Sequence, residues 1–285
     1  MYVITGVTGN TGSVVANILL DKGEKVRVVV RNADKGEAFK KRGAEVAVAS
    51  FEDAAALEKA LAGAKGLYVL SPPDLQSKDL VGQRKRMFDQ IAGAVGKARV
   101  GHVALLSSIG AQHAQGNGPI AILHHAENVL GAKAPLSSVR ACYFLENYAG
   151  VLPMARAQGI LPTFAPAKAK IPNVTTNDIG RCAAEALLAG PKGRRILELS
   201  SFDASPEDVA TTLTELLGKP VKAQEMPTNA IVPTFTQMGT SAEMAKLYEE
   251  MINGMISGHV TWEQSGTERV KGWTDLKTGL SRILG

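Results

Sequence analysis

Aromatic residues and cysteines are scarce in this chain of 285 residues. Aromatic residues make up 5% of it, so few side chains are available to stack on nucleic-acid bases. The two cysteines, Cys142 and Cys182, are too few for a disulfide framework and have no metal-ligand spacing. We therefore expect reduced core thiols in a cytoplasmic protein. No cluster of His, Asp and Glu has ligand spacing either, so no metal site is predicted.

Long apolar runs and long blocks of one charge are also missing. The first apolar run begins at Tyr2 without a basic leader and is interrupted at Gly6, which predicts no signal peptide. No window is apolar for the length that a membrane helix needs. The net charge of +5 is modest, and we interpret Arg84, Lys85 and Arg86 as a solvated helix face. We expect neither a membrane nor a nucleic-acid partner.

The first half of the chain alternates short apolar runs with helical patterns. Strand and helix alternating at this spacing predict βαβ crossovers and a doubly wound parallel sheet with helices on both faces. The predicted strands are Tyr2–Thr5, Val26–Val30, Ala44–Ala49, Gly66–Leu70 and His102–Ser107. The predicted helices are Val14–Lys22, Lys35–Arg42, Asp53–Leu61 and Asp79–Ala98.

The second half is less regular and predicts a smaller C-terminal lobe. Short strands are expected at Ser137–Arg140 and Ile196–Leu199. Helices are expected over the stretch NDIGRCAAEALLAG, at Pro206–Leu217 and at Ala242–Ser257. No sharp linker separates the halves. We expect a first domain at 1–150 and a second lobe at 151–285, with segments of the second returning to the sheet of the first.

Three glycines spaced three apart, Gly6, Gly9 and Gly12, lie between the first predicted strand and the first predicted helix. Such a triplet is weak evidence alone, but a strand before it and a helix after it, inside a βαβ unit, are the context of a dinucleotide-binding loop. The helix would direct its N-terminal N–H groups at a pyrophosphate. The alternative is a tight turn without a ligand. We favour dinucleotide binding, by a domain that comprises residues 1–150.

The end of the second strand indicates which dinucleotide. An NAD site usually carries Asp or Glu about 20 residues beyond the loop, to bind the ribose 2′-hydroxyl. This chain has Arg31 there, 19 positions after Gly12, and Lys35 follows one helical turn later. A guanidinium binds phosphate through a planar fork. The alternative is a solvated arginine at a strand end, but the pattern favours NADP(H).

Several stretches together resemble the NmrA-like family of atypical short-chain dehydrogenases/reductases, which includes NADPH-dependent quinone reductases. They are the N-terminal GxxGxxG, VRNADK, SFEDAAALEKALAGAKGLYVLSP, VRACYFLENY and KAKIPNVTTNDIGRCAAEALL. The resemblance implies a Rossmann-like fold over the whole chain. It places the loop residues on the pyrophosphate, namely Gly6, Thr8, Gly9, Asn10, Thr11 and Gly12, and Arg31 with Lys35 on the 2′-phosphate.

The resemblance also assigns the rest of the site. It puts Phe51 and Glu52 near the adenine. Leu70, Ser71 and Pro72 would lie beside the nicotinamide ribose, and Ser107 and Ser108 would border the nicotinamide. Phe144, Asn147 and Tyr148 would line the cleft to the second lobe. A packing role is an equal alternative for Phe51, Phe144 and Tyr148.

One feature of the superfamily is absent. Its usual Tyr-x-x-x-Lys pair supplies a proton to the substrate, but the matching positions, set from Glu127, hold Pro119 and Leu123. The adjacent His124 and His125 could act as acid or base, although a solvent-facing pair is the favoured interpretation. We expect reduction of a quinone-like acceptor, which needs little proton transfer from the protein. The alternative is a non-catalytic NADP(H) sensor that acts through a protein partner.

Overall fold

A computed structural model describes residues 1–285. It contains thirteen strands, eleven α-helices and four short 3₁₀ turns. The strands are β1 (Tyr2–Ile4), β2 (Val26–Val30), β3 (Glu45–Val48), β4 (Gly66–Val69), β5 (Val103–Ser108), β6 (Leu136–Ala141), β7 (Tyr143–Phe144), β8 (Ile160–Thr163), β9 (Ile171–Val174), β10 (Arg194–Ser200), β11 (Phe202–Ala204), β12 (Lys222–Glu225) and β13 (Glu268–Lys271).

The eleven α-helices include the seven predicted ones, whose ends differ from the predicted ends by at most four residues, and four for which no bounds were predicted. They are α1 (Asn10–Asp21), α2 (Glu37–Lys40), α3 (Ala54–Leu61), α4 (Leu80–Ala98), α5 (Ala121–Gly131), α6 (Leu152–Gln158), α7 (Thr176–Leu188), α8 (Pro206–Leu217), α9 (Ile231–Gln237), α10 (Ala242–Ser257) and α11 (Leu276–Leu284). Asp53 and Asp79, predicted as first helical residues, are instead N-caps whose carboxylates accept backbone N–H groups.

Eight strands form the central sheet in the order β13-β10-β6-β5-β4-β1-β2-β3. Every neighbouring pair is parallel. The order reverses between β1 and β4, which is the topological switch point at which doubly wound folds bind ligands. The predicted fold class is confirmed, and two strands from beyond residue 150, β10 and β13, lie in this sheet.

Helices cover both faces of the sheet and bury a separate core against each. On one face, α1 and α7 contribute side chains such as Val15, Leu19 and Ile179. On the other face, α3, α4 and α5 contribute side chains such as Phe88 and Leu130. Buried parallel strands with near-continuous apolar sequence, such as β4, follow from this two-sided coverage.

A third core lies in the C-terminal part of the chain. It packs α6, α8 and α11 around residues such as Leu145, Leu161 and Leu213. Two small sheets accompany it: β8 pairs with β12, and β9 lies between β7 and β11. None of the helices is both long enough and apolar enough to cross a membrane.

Candidate functional site

A cleft of about 1290 Å³ opens at the carboxyl edge of the sheet, beside the switch point. Its walls come from the loop after β1, the segment after β2, the segment after β3, the loop after β4 and helix α4. We call it the basic cleft, because it is lined by four basic side chains, Arg31, Lys35, Arg84 and Arg86, against two acidic ones, Glu52 and Asp74.

The glycine loop has the backbone shape that its sequence predicts. Gly6 has φ of +65°, in the left-handed region, and a Cβ there would stand 2.6 Å from Cδ2 of Leu70. A side chain at this position would therefore be both strained and crowded. Gly6 and Thr8 line the basic cleft, while Asn10, Thr11 and Gly12 form the first turn of α1.

Helix α1 packs tightly behind the loop and leaves its first turn uncapped. A Cβ on Gly12 would lie 2.5 Å from the carbonyl oxygen of Gly6, so only glycine lets the helix approach the strand this closely. The N-cap is Gly9, which has no side chain to accept the first N–H groups. These N–H groups and the positive end of the helix dipole form an anion-binding site. The hydroxyl of Thr11, in contrast, accepts a 2.8 Å hydrogen bond from buried Tyr68.

The residues predicted to select the cofactor lie together. Arg31 and Lys35 are exposed and both line the basic cleft. Between them, the side chain of Asn32 accepts the backbone N–H of Asp34 and caps a short 3₁₀ turn. Lys35 lies in this turn, and its side chain lines the same cleft as that of Arg31. No carboxylate follows β2 at the position where an NAD site needs one.

The next predicted group is only partly in the cleft. Phe51, Glu52 and Pro72 line it. Leu70 instead contacts the glycine loop, through the approach of its side chain to Gly6. Ser71 is half-buried and follows β4 outside the cleft lining.

Helix α4 adds residues that the sequence pattern did not identify. Arg84 and Arg86 line the basic cleft, so the interpretation of this basic group as a solvated face is wrong for Arg84, whose side chain is only 15% exposed. Its Nε donates a 3.1 Å hydrogen bond to the carbonyl of Pro72. Arg86 is 66% exposed and pairs with Asp79 at 2.9 Å. The loop after β4 thus fixes the side chain of Arg84, whereas the charge of Arg86 is paired at the surface.

Ser107, predicted beside the nicotinamide, belongs to a buried polar network. Its hydroxyl donates a 2.7 Å hydrogen bond to Glu127. The guanidinium of Arg140 binds the same carboxylate through two hydrogen bonds and also pairs with Glu263 at 2.6 Å. This network places a fixed hydroxyl at the end of β5. Ser108 is half-buried, and its hydroxyl donates to the adjacent carbonyl of Ile109.

The paired histidines are half-buried and have protein partners, in contrast to the favoured interpretation of a solvent-facing pair. Nδ1 of His124 must donate to the carbonyl of Ala111, 2.9 Å away, so Nε2 of a neutral ring is the acceptor. The side-chain amide of Asn128 donates to that Nε2 at 3.1 Å. Nε2 of His125 lies 2.7 Å from the carboxylate of Asp89 and links α5 to α4.

The residues predicted for the substrate side lie at the junction with the C-terminal part. Phe144 is half-buried and packs against the first core, and Asn147 is exposed. Tyr148 is 6% exposed and packs in the third core, edge to face with Tyr143. Burial raises the pKa of Tyr148, which makes its phenol a poor proton donor. Its contacts are those of a packing residue.

The fold and the glycine loop define a Rossmann-type dinucleotide-binding protein, with an N-terminal GxxGxxG turn at the switch point of a parallel sheet. The model of the NmrA-like family matches residues 2–277. The chain belongs to the NmrA-like family, as the sequence resemblance predicted.

Two characterised relatives and one solved structure are similar over most of their length. Quinone oxidoreductase 2 of Escherichia coli is 26% identical over 265 residues, which cover 90% of this chain and 89% of the relative. A (4-alkanoyl-5-oxo-2,5-dihydrofuran-3-yl)methyl phosphate reductase of Streptomyces griseus is 25% identical over 234 residues. These residues cover 81% of this chain and 78% of the relative.

The solved structure is that of the NADPH-dependent quinone oxidoreductase QOR2 of Escherichia coli in complex with NADPH. It superimposes with a TM-score of 0.84 at 25% identity, and the match covers 100% of both chains. The cofactor in that complex is the one that the end of the second strand predicts here.

Proposed function

We propose that this protein is an NADP(H)-dependent oxidoreductase that reduces quinone-like acceptors. The observation that carries the proposal is the basic cleft at the switch point, which is lined by Arg31, by Lys35 and by the glycine loop that leads into the uncapped N-terminus of α1. A dinucleotide phosphate needs anion-binding groups at both of these places. The two relatives, a quinone oxidoreductase and a reductase, support the same chemical class.

The residues that line the cleft fit the adenosine and pyrophosphate parts of the cofactor. The start of α1 would hold the pyrophosphate, and the close approach at Gly12 keeps that turn free of side chains. Arg31 and Lys35 would hold the 2′-phosphate, and Phe51 with Glu52 would contact the adenine from the segment after β3. Ser107, held by Glu127, would border the nicotinamide. When bound, NADPH supplies the hydride.

The chain provides no Tyr-x-x-x-Lys pair to supply the proton. Pro119 lies in a 3₁₀ turn and Leu123 lies in α5 at the expected positions. Both ring nitrogens of His124 already have protein partners. We therefore infer that the proton which accompanies hydride transfer to a quinone comes from water. This chemistry suits an acceptor that accepts hydride readily and excludes one that needs a strong general acid.

The decisive experiment combines cofactor binding with turnover. We expect the protein to bind NADPH more tightly than NADH, and to oxidise NADPH when benzoquinone or naphthoquinone derivatives are offered. Tight NADPH binding without oxidation by any quinone supports the second candidate, a redox sensor without catalysis, which the missing Tyr-x-x-x-Lys pair favours. Failure to bind either nucleotide contradicts both.

The role of the histidines is tested on the active protein. If water supplies the proton, replacing His124 or His125 with alanine leaves the rate and its pH profile unchanged within about twofold. A loss of about a hundredfold in kcat, with the cofactor affinity unchanged, would identify a histidine as the proton donor instead. Thermal unfolding of each variant controls for the loss of the Asp89 contact.

A further inference from the structure

Arg84 is placed unlike the other basic residues of helix α4. Its side chain is 15% exposed and lines the basic cleft. Its Nε donates a 3.1 Å hydrogen bond to the carbonyl of Pro72. Arg86 also lines the cleft, but it is 66% exposed and its charge is paired with Asp79. Lys85, between them, does not line the cleft. Arg84 is therefore the cation that α4 holds in place at this wall.

Most hydrogen-bond donors of the Arg84 guanidinium have no partner. Of its five N–H donors only the one on Nε has a hydrogen-bond partner, and that partner is a neutral carbonyl. The nearest carboxylate oxygen, on Asp74, lies 3.9 Å from a terminal nitrogen, beyond hydrogen-bond distance. A half-buried guanidinium with free donors is suited to binding an anion in the cleft, since its fork matches phosphate geometry.

The predicted 2′-phosphate offers more acceptor oxygens than one arginine fork can satisfy. A phosphate monoester carries about −1.5 to −2 charges at neutral pH and offers three strong acceptor oxygens. Arg31 and Lys35 approach from the segment after β2, and Arg84 comes from a different element that lines the same cleft. Arg84 would therefore add donors from a second wall of the cleft to those that the segment after β2 supplies.

We propose that Arg84 is a further specificity-determining residue, whose guanidinium contacts the 2′-phosphate of NADP(H). This inference rests on the proposed cofactor. Arg84 would contact the adenosine half from α4. Its hydrogen bond from Nε to the carbonyl of Pro72, which lines the same cleft as Arg31, leaves the terminal nitrogens free for this contact. The α4 wall thereby contributes to the discrimination between NADPH and NADH that the segment after β2 begins.

The test uses fragments that isolate the 2′-phosphate. Dissociation constants are measured by calorimetry for NADPH, NADH, adenosine 2′,5′-bisphosphate and 5′-AMP, with wild type, Arg84→Ala, Arg84→Lys and the control Lys85→Ala. We expect Arg84→Ala to weaken NADPH and the bisphosphate by about tenfold, the size of one charge-assisted hydrogen bond, and to leave NADH and 5′-AMP within about twofold. Arg84→Lys keeps the charge without the planar fork, so its affinities for NADPH and the bisphosphate should lie between those of wild type and Arg84→Ala. The affinities of Lys85→Ala should match those of wild type.

Each contrary result contradicts either the Arg84 contact or the proposed cofactor. Equal weakening of all four ligands by Arg84→Ala would assign Arg84 to the adenine or to the fold and overturn the proposal. Unchanged binding of all four would overturn it as well. Wild type that binds NADPH no better than NADH contradicts the proposed cofactor itself. Retained 5′-AMP affinity in Arg84→Ala shows that the cleft is still folded.

Discussion

Arg140 and Glu127 form a bidentate ion pair inside the sheet–helix interface, with Nε and a terminal nitrogen 2.9 and 2.8 Å from the two carboxylate oxygens. The two residues are 2% and 1% exposed, so neither charge is solvated. The same carboxylate accepts the hydroxyl of Ser107 at the end of β5. The pair thus connects the packing of α5 on the sheet to the predicted nicotinamide end of the site.

Breaking this pair should destabilise the protein strongly. Replacing Glu127 with glutamine leaves Arg140 buried with only Glu263 as a charged partner, so we expect a loss of about 3 kcal/mol in the free energy of unfolding. The control is Glu185→Gln, which breaks the exposed pair with Arg181 and should cost less than about 0.5 kcal/mol. Urea denaturation measures both, and equal losses would show that the buried pair has no special role.

Arg31 should set the preference for NADPH. Arg31→Ala removes one charge-assisted contact of about 1.5–3 kcal/mol, so NADPH binding should weaken about ten- to a hundredfold while NADH binding hardly changes. Lys35 softens the loss, since it lines the same cleft. Arg31→Asp should also improve NADH binding, by offering its ribose hydroxyl a partner.

The control for Arg31 is Lys40→Ala. Lys40 lies on α2 outside the cleft and pairs with Glu37, so this variant should leave the ratio of the two dissociation constants unchanged. Titration by nucleotide fluorescence gives the ratio. An unchanged ratio in Arg31→Ala would remove Arg31 from the site.

Gly180 should be intolerant of any side chain. It lies where α7 crosses α1, and a Cβ would stand 2.6 Å from Cβ of Val14 and 2.8 Å from the carbonyl oxygen of Thr11. Gly180→Ala should therefore destabilise the protein by about 1–3 kcal/mol and weaken dinucleotide binding, because it displaces the first turn of α1. The matched control is Gly93→Ala on α4, where a Cβ meets nothing within 4 Å and helix propensity favours alanine. Similar thermal stabilities for the two variants would contradict this account.

Stability should decrease as the pH falls below neutrality. Burial, reinforced by Arg195, lowers the pKa of His102 below its ordinary 6.5, and burial also lowers the pKa of His113. Above about pH 6.5 both histidines are neutral in the folded and in the unfolded chain, so the full free energy of unfolding is retained. Below this pH the unfolded chain binds protons first, so the free energy of unfolding falls.

His102→Gln isolates the contribution of the more deeply buried histidine. His102 is 1% exposed, whereas His113 is half-buried and stacked on His259. We expect the variant to lose less stability than wild type between about pH 7.5 and about pH 5.5, measured by urea denaturation at both values. An identical decrease in the two proteins would assign the pH dependence elsewhere.

The regular elements were predictable because their signals are local. Val26–Val30, Pro206–Leu217 and Ala242–Ser257 have the bounds that β-branched runs, a capping serine and apolar periodicity indicate. Helix α1 begins at Asn10 rather than at the predicted Val14. Its first turn consists of loop-like residues that have no apolar periodicity, so sequence reasoning treated them as part of the turn.

The polar contacts between distant segments were not predictable. Asp178, in the predicted helix, accepts the hydroxyl of Ser201, the N–H of Trp273 and both the N–H and the hydroxyl of Thr274. Nothing in the local pattern indicates partners almost a hundred positions away. The three-stranded sheet of β7, β9 and β11 was missed for the same reason, since two of its strands have only two and three residues.

The amino-acid sequence by itself determined the parallel sheet, the glycine loop and the basic end of the second strand. Each depends on residues within one βαβ unit, where glycine geometry and apolar periodicity act over short distances. Only the tertiary structure decided which cations line the cleft and which hydroxyls are hydrogen-bonded to other side chains. Arg84 was indistinguishable from Lys85 in the sequence, until the loop after β4 brought the carbonyl of Pro72 to one and not the other. Side-chain direction at such a position is set by contacts across the fold, because a charged helix residue has no local preference strong enough to set it.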